Sequence, residues 1–98
     1  MSGEPIREVV VRAVVSDPYD GLIRLLSDAQ RFGFELGAST LVTEVDGSAS
    51  VTLTLSVPTR IDVQLVAARL ARHPVVRDVD AQVNASEASA DYLYAIAA

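Results

Sequence analysis

Apolar residues alternate with polar ones from Arg7 to Ser16, in a run dominated by β-branched side chains. Val9, Val11, Ala13 and Val15 share one face, and Glu8, Val10, Arg12 and Val14 share the other. This period of two predicts a first strand, and the two valines on its second face predict partial cover on both sides. Ser16-Asp17-Pro18 interrupts the run. Asp17 suits a helix N-cap, Pro18 the first helical position, and Asp20 the first turn, near the positive end of the helix. Leu22, Leu25, Leu26, Ala29 and Phe32 then recur at helical spacing, which predicts an amphipathic helix over residues 18–32, ended by Gly33 in a left-handed conformation.

Residues 35–45 read as a second strand with weaker alternation, and Asp46-Gly47 signals a two-residue hairpin. The third strand, 49–57, alternates most cleanly, with Val51, Leu53, Leu55 and Val57 inward and Thr52, Thr54 and Ser56 outward. Pro58-Thr59 reads as the start of a second helix, with Thr59 as cap and Asp62 three residues on in a box-like arrangement. Ile61, Leu65, Val66, Ala68 and Leu70 supply its expected buried stripe, and His73-Pro74 stops it. Residues 75–83 form a fourth strand with Val75, Val79, Ala81 and Val83 on one face.

The order β-α-β-β-α-β, with right-handed crossovers around a central hairpin, predicts an α+β, ferredoxin-like βαββαβ sandwich. Such a fold has a four-stranded antiparallel sheet with two helices on one face. The domain covers residues 7–83. Residues 1–6 read as a flexible lead-in and 84–98 as a small-residue tail carrying Tyr92 and Tyr94. An open sheet has edges to manage, and its second face is not fully polar. Both features favour a homodimer or a larger partner.

Composition narrows the chemistry. The 98 residues suffice for one domain, with 8 basic and 13 acidic side chains and a net charge of −5. With no Cys and one His, disulfides, thiolate chemistry, Cys-ligated metals and multi-histidine metal sites are excluded. All the basic residues are Arg, and the acidic balance argues against nucleic acid. No apolar run is long enough to span a membrane and no secretory pattern opens the chain. The expectation is a soluble cytoplasmic protein with no catalytic residues, no metal and no cofactor of its own.

Several occupants of this fold can be set aside by residue. The stretch Ser16-Asp17-Pro18-Tyr19-Asp20 carries carboxylates where an acylphosphatase-like loop would cradle phosphate. The first and third strands lack the aromatics of an RNA-recognition module. A heavy-metal carrier would need Cys-x-x-Cys. By contrast, Leu22-Ile23-Arg24-Leu25 followed by Arg31-Phe32-Gly33-Phe34-Glu35-Leu36 resembles the Leu-x-Arg-Val…Arg-Gly-Phe/Tyr-x-Ile segment of the ACT domain family. Val51 to Val57 and Val75 to Val79 continue the likeness, which spans about residues 7–83. The short single module most resembles the small regulatory subunits of acetolactate synthase, in branched-chain amino acid biosynthesis.

That resemblance implies a non-catalytic, homodimeric regulatory or activating subunit, allosteric in action. Its partner would be a catalytic large subunit that holds thiamine diphosphate and carries the chemistry. It also implies an amino acid effector near the loop Asp17, Pro18, Tyr19, Asp20, Gly21 and Leu22, with Glu35 contributing, and structural roles for Arg24, Gly33 and Phe34. Asp17 stands at the family's Asn position, Asp20 at its Gly position, and Glu35 at a second Asn, so the expected contacts have become acidic. The plainer reading is that Asp17 and Asp20 only cap the helix. A stand-alone amino acid sensor for another enzyme and a ligand-free oligomerisation module remain open alternatives. Arg24 could be a rim or interface contact, Arg69, Arg72 and Arg77 a basic edge, and His73 a helix C-terminal cap.

Overall fold

Six elements appear in the expected order: β1 (Ile6–Val15), α1 (Pro18–Arg31), β2 (Glu35–Thr43), β3 (Ala49–Pro58), α2 (Val63–Leu70) and β4 (Val76–Val83). They belong to a computed structural model that describes residues 4–84. The readings of the first three residues and of the tail with Tyr92 and Tyr94 lie outside the described residues.

The strands form one antiparallel sheet in the order β2-β3-β1-β4. Alternation decides which face each residue joins. Val9, Val11 and Val15 of β1 and Val51, Leu53, Leu55 and Val57 of β3 are all at most 1% exposed and meet Leu25 of α1 with Val66 and Leu70 of α2. Each such side chain contributes about 1.5–3 kcal/mol on full burial. Both helices therefore cover one face. Among the described residues nothing covers the other, where Val10, Arg12 and Val14 stand opposite Thr54, Thr52 and Ser50. No described helix is long and apolar enough to cross a membrane.

α1 begins and ends as its sequence dictates. The Asp17 carboxylate accepts the amides of Tyr19 and Asp20 at 2.9 and 3.0 Å, with Pro18 in the first turn. At the other end Gly33 has φ +81°, its N–H donates to the Gln30 carbonyl at 3.0 Å, and the Phe34 N–H donates to the Ala29 carbonyl at 2.9 Å. That pair of bonds is a Schellman cap, which needs the left-handed residue glycine tolerates.

Four local expectations are corrected. α2 starts at Val63, not after Pro58, and Asp62 rather than Thr59 is its N-cap, its carboxylate accepting the Gln64 amide at 2.8 Å. The reason is that Pro58 still belongs to β3, paired with Ile6. Only Val66 and Leu70 of the predicted stripe are fully buried; Leu65 is 42% exposed and Ala68 is exposed, because in a helix of 8 residues these two positions, about one turn apart, make up the face on the sheet. In β4, Val76 rather than Val75 enters the core: the register with β1 shifts between Val14 and Val15, so Val76 pairs with Val15. Val83, at the edge, is 48% exposed. The β2–β3 connection is longer than the expected two residues, with Glu44 to Ser48 lying between the strands. The Glu44 amide donates to the Ser48 carbonyl at 2.8 Å, enclosing Val45, Asp46 and Gly47, and Gly47 has φ +91°.

Candidate functional site

The residues that the family resemblance assigns to an effector fall in two places. Asp17 to Leu22 lie where β1 turns into α1, at the end of the sheet marked by Val15, Ala49 and Thr43. Glu35 opens β2 at the opposite end, paired with Ser56. Seven residue steps along β3 separate Ser56 from Ala49, which at strand rise is about 23 Å. One chain therefore does not bring Glu35 to the loop.

Within the loop, most groups already have work to do. A helix N-terminus attracts an anion because its first amides lack partners. Here the Asp17 carboxylate takes the amides of Tyr19 and Asp20. The side chain at the family's Asn position thus occupies amides that an effector carboxylate would use. Asp20 is engaged with Arg24, whose Nε donates to both its carboxylate oxygens at 3.2 Å. Pro18 is half-buried, Leu22 packs against the core, and Tyr19 projects into solvent, 83% exposed.

Gly21 is the structural centre of the loop. It is buried, and a Cβ there would lie 2.4 Å from the Val15 Cβ and 2.6 and 2.8 Å from its two methyls. Only a residue without a side chain lets the first turn of α1 rest on β1. Gly33 and Phe34 act likewise at the other end of α1. The Phe34 ring is 4% exposed and lies 6.0 Å, centroid to centroid, from the tilted Phe32 ring. The Arg69 guanidinium sits 5.0 Å from the Phe32 centroid, tying α2 to this corner. Arg69 is thus committed to an internal contact rather than to a basic edge with Arg72 and Arg77.

One cluster escaped the sequence reading. Asp28 is 2% exposed on the buried side of α1, and the His73 Nε2 lies 3.0 Å from its Oδ2. His73 therefore meets a carboxylate on α1 instead of capping α2, whose C-cap is Ala71. Its Nδ1 is 3.5 Å from the Arg24 Nη1. The signal was present: Asp28 stands between Leu25 and Ala29 in the apolar stripe, and a carboxylate there needs a partner from another element.

A separate depression of about 450 Å³, lined by Leu26, Ala29, Gln30, Gly33, Phe34 and Leu36, opens between the end of α1 and the start of β2.

No family model matches the sequence, and no curated protein matches it. Solved structures do resemble the fold. The C-terminal domain of the MgtC protein from Mycobacterium tuberculosis superposes with a TM-score of 0.67 at 15% identity, covering 86% of this chain and 94% of that one. The ACT domain from GTP pyrophosphokinase of Chlorobium tepidum superposes with a TM-score of 0.65 at 15% identity, over 80% of this chain and all (100%) of that one. An uncharacterised protein of Thermotoga maritima gives 0.60 at 16% identity, over 82% and 99%. The chain has the ferredoxin-like fold that ACT domains use, and at these identities the likeness is one of fold.

Proposed function

We propose that this chain is a non-catalytic, ACT-type regulatory subunit that works by protein contact, as a homodimer joined along β2. The observation that carries the reading is the contrast between the two sheet edges. β2, Glu-Leu-Gly-Ala-Ser-Thr-Leu-Val-Thr, has no basic residue and no Pro, and its one charge lies at its start; it is exposed along nearly its whole length. β4 carries Arg77, Asp78 and Asp80. Charged edges resist pairing, whereas long uncharged ones invite it. Antiparallel pairing of two β2 strands would make a continuous eight-stranded sheet. It would also bring the Glu35 end of one copy beside the Thr43 end of the other, reuniting what one chain keeps apart.

The finer reading rests on the family resemblance. The partner is the catalytic subunit of acetolactate synthase, which holds the thiamine diphosphate, and this chain raises its turnover by binding the active conformation more tightly. The self-capped loop favours activation by contact over amino acid feedback. Sedimentation velocity tests the dimer: the wild type should sediment as a dimer at micromolar concentration, and Thr40→Lys/Val42→Lys as a monomer, with Gln82→Lys on β4 without effect. A monomeric wild type refutes it. Adding the chain to the catalytic subunit should raise its rate, and an unchanged rate removes that partner. Calorimetric titration with the common amino acids should be silent. Tight binding without any enzyme would instead make the chain a stand-alone sensor.

A further inference from the structure

His73 reaches from the α2–β4 loop to α1 and touches a buried residue on one side and a half-exposed one on the other. Its Nε2 lies 3.0 Å from Asp28 Oδ2, and its Nδ1 lies 3.5 Å from Arg24 Nη1. The Asp28 side chain is 3% exposed and that of Arg24 46%. A guanidinium only donates hydrogen bonds. The ring nitrogen facing Arg24 must therefore accept, so in the neutral ring the proton resides on Nε2, which donates to the Asp28 carboxylate. One tautomer satisfies both contacts.

We infer that His73 is a proton-dependent latch: its neutral Nε2–H form links Arg24 to buried Asp28, and proton uptake at Nδ1 releases Arg24 while keeping Asp28. The added N–H removes the ring acceptor that faces Arg24 Nη1 and sets a cationic ring against a cationic guanidinium. Arg24 can yield, because it is half exposed and holds Asp20 through its Nε at 3.2 Å. Asp28 cannot, because a buried carboxylate that loses its partner is left uncompensated.

The charged groups around the ring are Asp20, Arg24, Asp28 and Arg31 of α1, which with Ile23, Ser27 and His73 line a depression of about 240 Å³. Arg72, next to His73 in its own loop, is exposed. The Val76 N–H donates to the His73 carbonyl at 2.9 Å and anchors the residue to the start of β4. Proton uptake thus adds a charge at His73 and frees Arg24 on an α1 surface that also presents Ile23, 61% exposed. The latch is internal to one chain and holds whichever partner the protein has.

Nitrogen-detected NMR of the full chain tests it without any variant. At high pH the His73 ring should show the Nε2–H tautomer, and the Arg24 Nε–H resonance should shift along the same titration curve as the ring. His73→Gln should abolish the component of the Arg24 shift that follows the ring. A predominant Nδ1–H tautomer overturns the inference. So does an Arg24 resonance indifferent to the ring, or one that still shifts over the same pH range in His73→Gln.

Discussion

Replacing Gly21 by Ala separates local propensity from packing. By propensity alone the change should stabilise the protein by about 0.8–1 kcal/mol, since Gly is a poor helix residue. The tertiary structure reverses the sign. The new Cβ would stand 2.4 Å from the Val15 Cβ, with the two Val15 methyls at 2.6 and 2.8 Å. Carbon atoms in contact prefer about 3.5–4.0 Å, so the start of α1 must lift from β1 by roughly 1 Å. The obstructing atom is bonded directly to the backbone of a strand paired on both sides, with Val15 0% exposed, so no side-chain rotation relieves it. Overpacking of this kind costs about 1–3 kcal/mol. Taking the upper end and subtracting the propensity gain leaves a net loss of about 2 kcal/mol. For a domain of this size that lowers Tm by about 8–16 °C. Thermal and urea unfolding would measure it, with the midpoint shifted and the m-value unchanged. Val15→Ala removes the two methyl contacts but not the Cβ contact, so in that background the cost should shrink without vanishing. Gly33→Ala supplies the contrast. Nothing lies within 4 Å of a Cβ there, but φ is +81°, so its cost of about 1–2 kcal/mol is conformational and should add independently of Val15. A Gly21→Ala protein as stable as the wild type, or more so, would refute the close approach.

Two further perturbations probe the loops. Asp17→Ala removes the carboxylate that holds the Tyr19 and Asp20 amides and should cost about 1 kcal/mol in urea unfolding. Asp46 is held below its ordinary pKa of 3.8 by the Ser48 hydroxyl first and the Ser48 amide second, at 2.6 and 3.0 Å, partly opposed by desolvation. Because the folded value is the lower one, its stabilisation is complete above pH 3.8 and disappears as pH falls through the folded value. Asp46→Ala should therefore lower Tm at pH 7 and narrow the difference from wild type toward pH 2; a gap that stays constant with pH would contradict this.

The strands, the first helix and the fold class were legible because each rests on a short-range periodicity. Val9 to Val15 and Val51 to Val57 alternate, Leu25 and Ala29 recur at helical spacing, and Gly33 can take the angle that ends α1. These choices cost or gain free energy within a few residues of themselves, so the chain alone determined them. The start of α2 was not legible, because Thr59 and Asp62 are both adequate caps and the pairing of Pro58 with Ile6 chooses between them. The depth of Val76 depends on a register shift against β1, and a shift between strands leaves no trace in either one.

The candidate site divides in the same way. Asp17 as a cap was readable, since its partners are two and three residues away. The distance between Glu35 and the loop was not, because it depends on which ends of β1 and β2 lie together across β3. The Asp28–His73 pair joins residues 45 positions apart. A buried carboxylate in an apolar stripe demands a partner, but its identity is decided only when α1 and the α2–β4 loop pack together. The chain by itself determined which elements form and which faces are apolar; tertiary packing decided where the polar exceptions meet, because their energies depend on distances that sequence spacing does not encode.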